Sequence, residues 1–328
     1  MDETGECFYP LNPRVKKIQQ SLSFGITREG NIMSRKLRLL SDVLKLRKML
    51  KAGSFDFFIA TEYPFAIAAI LAGAKKMMKI FAWEHHHFYE LEKNGFWERL
   101  FKLAYPKLHG IVTLNPDEAR LFSKLNRHVI VIPNMVFQKQ LQDNPRLLRL
   151  LTIARLAHVK GIDLLLPLAK NILQKNPGWT WKLIGDGDMK NTVEEFIEKE
   201  GLQDRLILQP PLGSLLDKEY GETSIYVMTS RNECLPMTLL EAMSMGLPCV
   251  AFDCETGPRH IIKNGINGLL VEEGNILKLE MALELLIHSE EKRKLMGEAA
   301  MQSMKEFDSK KILQAWEKLF FPAIVDQP

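Results

Sequence analysis

The chain has no apolar run long enough to cross a bilayer. Its longest, Pro64 to Ala74, is about half of the ~20 residues that a spanning helix needs, and its small residues suit a closely packed buried helix. The N-terminus begins Met1-Asp2-Glu3 without the basic stretch and apolar segment of a secretory signal, so the expected location is the cytoplasm. Cysteine is scarce. Cys7, Cys234, Cys249 and Cys254 form no CxxC pair and have no histidine at zinc-ligand spacing, which points to reduced thiols in place of a disulfide framework or a structural zinc. The GxGxxG fingerprint is missing, so a nicotinamide cofactor is not expected. No internal repeat or low-complexity tract is present, and nothing suggests nucleic acid as a partner.

What is there fits a soluble α/β protein. A length of 328 residues, with 46% hydrophobic and 26% charged residues, allows two domains with separate cores. The net charge of +4 conceals an asymmetry: residues 1–140 hold 22 Lys/Arg against 13 Asp/Glu, while the remainder holds 22 against 27. A basic first half implies phosphate or anionic lipid as a partner, or else a merely solvated face. Short β-rich runs (Phe55 to Ala60, Met78 to Trp83, Gly110 to Leu114, Val129 to Pro133, Leu148 to Ala154, Trp179 to Gly185, Leu206 to Gln209, Ile225 to Thr229, Pro248 to Phe252) alternate with helical patterns such as Ile162 to Lys175 and Met189 to Glu200. That alternation predicts parallel sheets with crossover helices. Polar residues between Val136 and Pro145 mark a linker, giving expected domains of residues 1–137 and 138–306. A long helical segment from Ile276 to Lys305 precedes a last helix, expected within residues 307–328 and packing back on the first domain. The helix predicted from Lys36 to Lys51 sets Leu37, Leu40, Val43, Leu44, Met49 and Leu50 among six Lys and Arg residues, with Arg35 just before it. Such a helix either covers a core or lies on an anionic membrane.

Four features of the second half carry chemistry. Arg155 and Lys160 flank a strand-to-helix loop, where two long cations and a helix N-terminus can grip a diphosphate. Leu183 to Asp188 is a strand running into a turn built on Gly185 and Gly187, which permit close backbone approach. In Thr229 to Met243, Glu233 precedes a helix that starts near Pro236 and carries Glu241, so two carboxylates can address one ligand at the strand ends. Carboxylates accept oriented hydrogen bonds from sugar diols. Finally, Phe252 to Ile262, with Thr256, Gly257 and Pro258, offers backbone amides at a helix start.

Together these residues resemble the family 4 glycosyltransferases of the retaining GT-B type over residues 148–272, with Glu233 and Glu241 as their E-x7-E motif. The resemblance implies two Rossmann-like domains with parallel sheets facing a central cleft. It implies a nucleotide diphosphate sugar as donor, the diphosphate held by Arg155 and Lys160, the sugar by Glu233 and the ribose by Glu241. Gly185, Gly187, Cys234, Leu235, Pro236, Thr256 and Gly257 complete the implied donor site. The first half is similar from about Phe8 to Asn134, less specifically. Within His85-His86-His87 the position of His85 matches a histidine near the reacting sugars, making it a candidate catalytic residue with Glu233, Arg155 and Lys160. Asn115 and Asn134 also fit family positions.

Relative to that pattern the chain begins after the second strand, so an N-terminal strand, glycine-rich loop and helix are expected to be missing and the first domain truncated. Cys234 stands where relatives usually have Gly, and His260 where many have Glu. The implied activity is metal-independent transfer, with retention, of a hexose or N-acetylhexosamine from a nucleotide (UDP) sugar to a lipid-linked or saccharide acceptor in cell-surface polysaccharide synthesis. The protein is expected in the cytoplasm or peripheral on the inner membrane face, with no cofactor and no metal. The alternatives are a nucleotide-sugar 2-epimerase and a silent nucleotide-binding partner subunit.

Overall fold

A computed structural model gives the structure of the protein, describing residues 12–18, 22, 32–89, 95–137, 146–213 and 216–322. Cys7 and most of the expected linker lie outside the described residues. In chain order the elements are α1 (Ile32–Ala52), β1 (Phe57–Ala60), α2 (Tyr63–Leu71), β2 (Lys79–Glu84), α3 (Gly95–Ala104), β3 (Gly110–Thr113), α4 (Pro116–Phe122) and β4 (Val129–Val131). They continue with β5 (Arg149–Ile153), α5 (Ile162–Lys175), β6 (Thr180–Ile184), α6 (Lys190–Lys199), β7 (Leu206–Gln209), α7 (Leu216–Glu222), β8 (Ile225–Met228), α8 (Met237–Ser244), β9 (Cys249–Asp253), β10 (Leu269–Glu272), α9 (Ile276–Ile287), α10 (Glu290–Ser303) and α11 (Ser309–Phe320). The expected alternation is present, and both sheets are parallel. One has four strands ordered β1-β2-β3-β4, the other six ordered β10-β9-β8-β5-β6-β7. Two compact units are distinguished, residues 1–83 with 94–110 and residues 84–93 with 111–328.

In the first unit the small residues of α2 do what close packing requires. Pro64 and Ala66 to Ala69 are buried, and Arg47 of α1 donates from Nη1 to the Ala72 carbonyl at 3.3 Å. The inward stripe of α1 is Leu39, Val43, Leu46 and Leu50. Leu37, Leu40 and Leu44 face outward, since residues three and four apart share a helix face and the buried set is 39, 43, 46 and 50.

The second unit is built on the six-stranded sheet. Its strands are apolar on both faces, with Leu150, Leu151, Trp181, Leu183, Ile225, Val227, Val250 and Phe252 buried, as a parallel sheet covered on both sides demands. Helices α5 and α9 close one core over it through Leu165, Ile172, Leu279, Leu283 and Leu286. The single helix expected from Ile276 to Lys305 is two. Ser289 interrupts it by accepting the Lys292 N–H at 3.2 Å, an N-cap that starts α10. The strand order places β5 beside β8, and connections run outward from this pair in both directions. That is the topological switch point of a doubly wound sheet, outside whose strand ends ligands bind.

Candidate functional site

A cavity of about 190 Å³ opens at the C-terminal ends of β5 and β8, where Arg155, Lys160, Ser230, Glu233 and Pro236 share its wall. Arg155, Lys160 and Glu233 are thus brought together at one cavity. Lys160 Nζ lies 2.7 Å from Glu233 Oε1, and Ser230 Oγ donates to the same oxygen at 2.8 Å. Arg155 is exposed at the rim. The cavity is smaller than the ~300–1,000 Å³ that enclose whole cofactors, a size suited to one charged portion of a larger ligand.

The loop carrying Lys160 is held rigidly. Arg231 donates to the His158 carbonyl at 2.6 Å and forks onto Asp163 through two 2.7 Å bonds. The Thr229 hydroxyl donates to the Lys160 carbonyl at 3.1 Å. The fork's hydrogen bonds hold the Asp163 carboxyl below its ordinary range and raise the guanidinium of Arg231. Arg231 and Ser230 were not singled out from the sequence. Their signal was weak: only their place between the β8 end and Glu233 marks them.

Glu233 is fixed from the far side. Thr256 donates its hydroxyl to the Glu233 carbonyl. Gly257, at φ 81°, packs where an added Cβ would come within 2.9 Å of both the Cβ and the carbonyl oxygen of Glu233. Only glycine combines that backbone conformation with that approach. Gly185 and Gly187 allow close approach too, but to the chain itself. An added Cβ would lie 1.9 Å from the Ala154 carbonyl oxygen and 2.4 Å from that of Leu156, respectively. Gly185 also borders a separate hollow of about 590 Å³ shared with α6 and β7. Cys234 and Leu235 are buried. The Cys234 carbonyl accepts from Asn115 Nδ2 at 2.8 Å, while Asn115 Oδ1 caps α4 through the Glu118 N–H at 2.9 Å. The Asn-Pro-Asp-Glu start of α4 reads as an N-cap signature; nothing in it announces the second bond.

Glu241 and His85 do not line the cavity. Glu241 sits on the second turn of α8 and accepts from the Tyr220 hydroxyl at 2.9 Å. Burial raises the pKa of that phenol far above its usual value, so it remains a donor. His85 lies half-buried after β2. Its buried neighbour is His87, bonded through Nδ1 to the Glu118 carboxylate, with Nε2 3.4 Å from Glu255. Burial raises the Glu118 carboxyl. His260, the departure from the family's Glu, reaches Asp117 at 2.8 Å.

Burial, and after it the charge of His86, lowers the His85 pKa from 6.5 to about 4. The native state thus keeps His85 neutral where an unfolded chain protonates it, so its stabilising contribution is full above pH 6.5 and declines as pH falls toward 4. Between those limits the melting temperature of the wild type should fall more steeply than that of His85→Gln. Parallel profiles would remove burial as the cause.

Residues 134–303 match the family model of the glycosyl transferases group 1, just over half of the chain. An uncharacterized glycosyltransferase of Haemophilus influenzae is 28% identical over 278 residues, covering 83% of this chain and 78% of its own. The lipopolysaccharide 1,6-galactosyltransferase of Salmonella typhimurium is 28% identical over 274 residues, 80% of this chain and 72% of its own. The crystal structure of S. aureus TarM in complex with fondaparinux, alpha-GlcNAc-glycerol and UDP superposes with a TM-score of 0.74 at 22% identity over 85% of this chain. The chain spans 58% of that TarM chain, and the likeness is one of fold, the GT-B arrangement of two parallel α/β sheets. On the family match and the switch-point architecture together, the chain belongs to the group 1 glycosyl transferases.

Proposed function

We propose that the protein transfers a hexose or N-acetylhexosamine from a UDP-sugar to a lipid-linked or saccharide acceptor, with retention at the anomeric carbon, in the synthesis of a cell-surface polysaccharide. The observation that carries this reading is the Lys160, Arg155 and Glu233 constellation at the switch point between β5 and β8. Two cations beside the start of α5 suit a diphosphate, since the helix N-terminus adds partial positive charge. Glu233, bonded to Lys160 and Ser230, suits a sugar hydroxyl. The galactosyltransferase relative and the UDP in the TarM complex support the donor class and the acceptor class.

In this reading the bond between the anomeric carbon and the diphosphate oxygen breaks as the acceptor hydroxyl oxygen bonds to the same face of that carbon and passes its proton to the departing diphosphate, while Lys160 and Arg155 neutralise the charge developing on the leaving group. That is electrostatic stabilisation by groups oriented in advance. Lys160 must leave Glu233 as the diphosphate enters, which frees the carboxylate for the sugar. Glu241, held by Tyr220, takes the ribose hydroxyls. Charge compensation comes from the chain's own cations, so transfer proceeds in the presence of a chelator. His85, neutral at physiological pH, hydrogen-bonds a sugar hydroxyl without adding charge.

The test is calorimetry with UDP followed by a transfer assay with UDP-glucose, UDP-galactose and UDP-N-acetylglucosamine against saccharide acceptors, with and without EDTA. Binding and EDTA-insensitive transfer are expected. UDP binding with no transfer from any donor would favour a silent partner subunit, and conversion of donor without acceptor would favour an epimerase. The fork of Arg231 on Asp163 gives a further expectation. Arg231→Gln should weaken UDP binding roughly tenfold, about 1.4 kcal/mol, by loosening the Lys160 loop, and Arg231→Lys should restore little of it, because an ammonium cannot fork. Unchanged affinity in both variants would rule out a positioning role.

A further inference from the structure

The basic helix α1 has an apolar stripe left over once its core is built. Leu39, Val43, Leu46 and Leu50 are 8% exposed or less, whereas Leu37, Leu40 and Leu44 are exposed by 61%, 57% and 57%. At 3.6 residues per turn these three lie one above the other on the face opposite the core. Farther along the same outward side come the exposed Lys48 and Lys51, flanked by Lys45 and Arg47. The helix contains one acid, Asp42, and it is turned inward at 4% exposure. Lys51 borders a hollow with the exposed Met77, and the Arg47 bond to Ala72 brings the turn bearing exposed Lys75 and Lys76 alongside.

An outward leucine stripe has a cost in water that a core does not offset, and here it is continuous with Lys48 and Lys51, while the helix's one acid, Asp42, pairs with Lys45 at 3.5 Å. We propose that this face of α1 docks on an anionic lipid bilayer, with Leu37, Leu40 and Leu44 entering the headgroup boundary and Lys48 and Lys51 meeting the lipid phosphates. A bilayer surface supplies apolar depth and negative charge together. A second copy of the chain fits less well. Antiparallel helices would set the leucines of each against the lysines of the other, and parallel ones would set lysine against lysine. The inference does not depend on the sugar-transfer reading.

A second outward stripe, Leu277, Met281 and Leu285 on α9, is exposed by 75%, 71% and 44% but lies in a helix with Glu280 and Glu284 and a single lysine. It serves as the internal control. The experiment is co-sedimentation of the full chain with vesicles of phosphatidylcholine alone or mixed with phosphatidylglycerol. Binding to the mixed vesicles, weakened by salt, and little binding to phosphatidylcholine is expected. Leu40→Asp with Leu44→Asp should reduce it by roughly tenfold or more at an unchanged melting temperature, Lys48→Glu with Lys51→Glu should abolish the preference for the anionic lipid, and Leu277→Asp with Met281→Asp should bind as wild type. Equal binding to both vesicle types, no binding to either, or α1 variants that bind like wild type would overturn the proposal. So would dimers that the leucine variant dissociates in the absence of any vesicle binding.

Discussion

Glu233→Gln is expected to lower sugar transfer about 100-fold while leaving the fold intact. The Glu233 carboxylate lies 2.7 Å from the Lys160 ammonium and accepts from Ser230 at 2.8 Å. Both groups of the ion pair are largely shielded, with side-chain exposures of 24% and 15%. A hydrogen bond to a charged group contributes about 1.5–3 kcal/mol, and each 1.4 kcal/mol is tenfold in rate. Glutamine keeps the shape and one acceptor but loses the charge that Lys160 needs before the donor arrives and that the sugar needs afterwards. The variant should therefore lose transfer with a near-normal melting temperature. A rate within threefold of wild type, in the assay that detects wild-type transfer, would remove Glu233 from the reacting centre.

Gly185→Ala should act on stability instead. The methyl group would sit 1.9 Å from the carbonyl oxygen and 3.0 Å from the carbonyl carbon of Ala154, both backbone atoms that cannot rotate aside. Overpacking against fixed atoms costs about 3 kcal/mol, or a fall of roughly 6–12 °C in melting temperature for a unit of this size. The control is Gly221→Ala in α7, where nothing lies within 4 Å of the added methyl group and the gain in helix propensity leaves stability unchanged or slightly higher. Equal melting temperatures for the two variants would mean that the turn after β6 is free to yield.

The second sheet was legible in the sequence because its strands are short, mostly apolar runs and the crossover helices between them have a clean period. The range Ile162 to Lys175 needed no adjustment. The break between α9 and α10 was not legible, since the apolar pattern runs through it and one serine hydroxyl decides it. Which face of α1 turns inward was not legible for a related reason. Leucines lie on all sides of that helix, and periodicity cannot choose between two apolar faces when both exist. At the site, Arg155, Lys160 and Glu233 were visible because cations and carboxylates at strand ends have few structural uses. Arg231, Ser230 and His87 were not, because they act through partners 68, 3 and 31 residues away in sequence. Glu241 was legible as a residue, though its position on the second turn of α8 keeps it out of the cavity wall and its carboxylate answers to Tyr220.

Asn115 ties two distant chain segments with one amide group: its oxygen holds the first turn of α4 while its nitrogen holds the carbonyl of Cys234, the residue next to Glu233. A ligand that shifts the Glu233 segment must therefore strain or release a helix start 119 residues away in sequence. The Glu118 amide becomes a built-in reporter, whose hydrogen-exchange rate would register occupancy of the far cavity without any label placed in it.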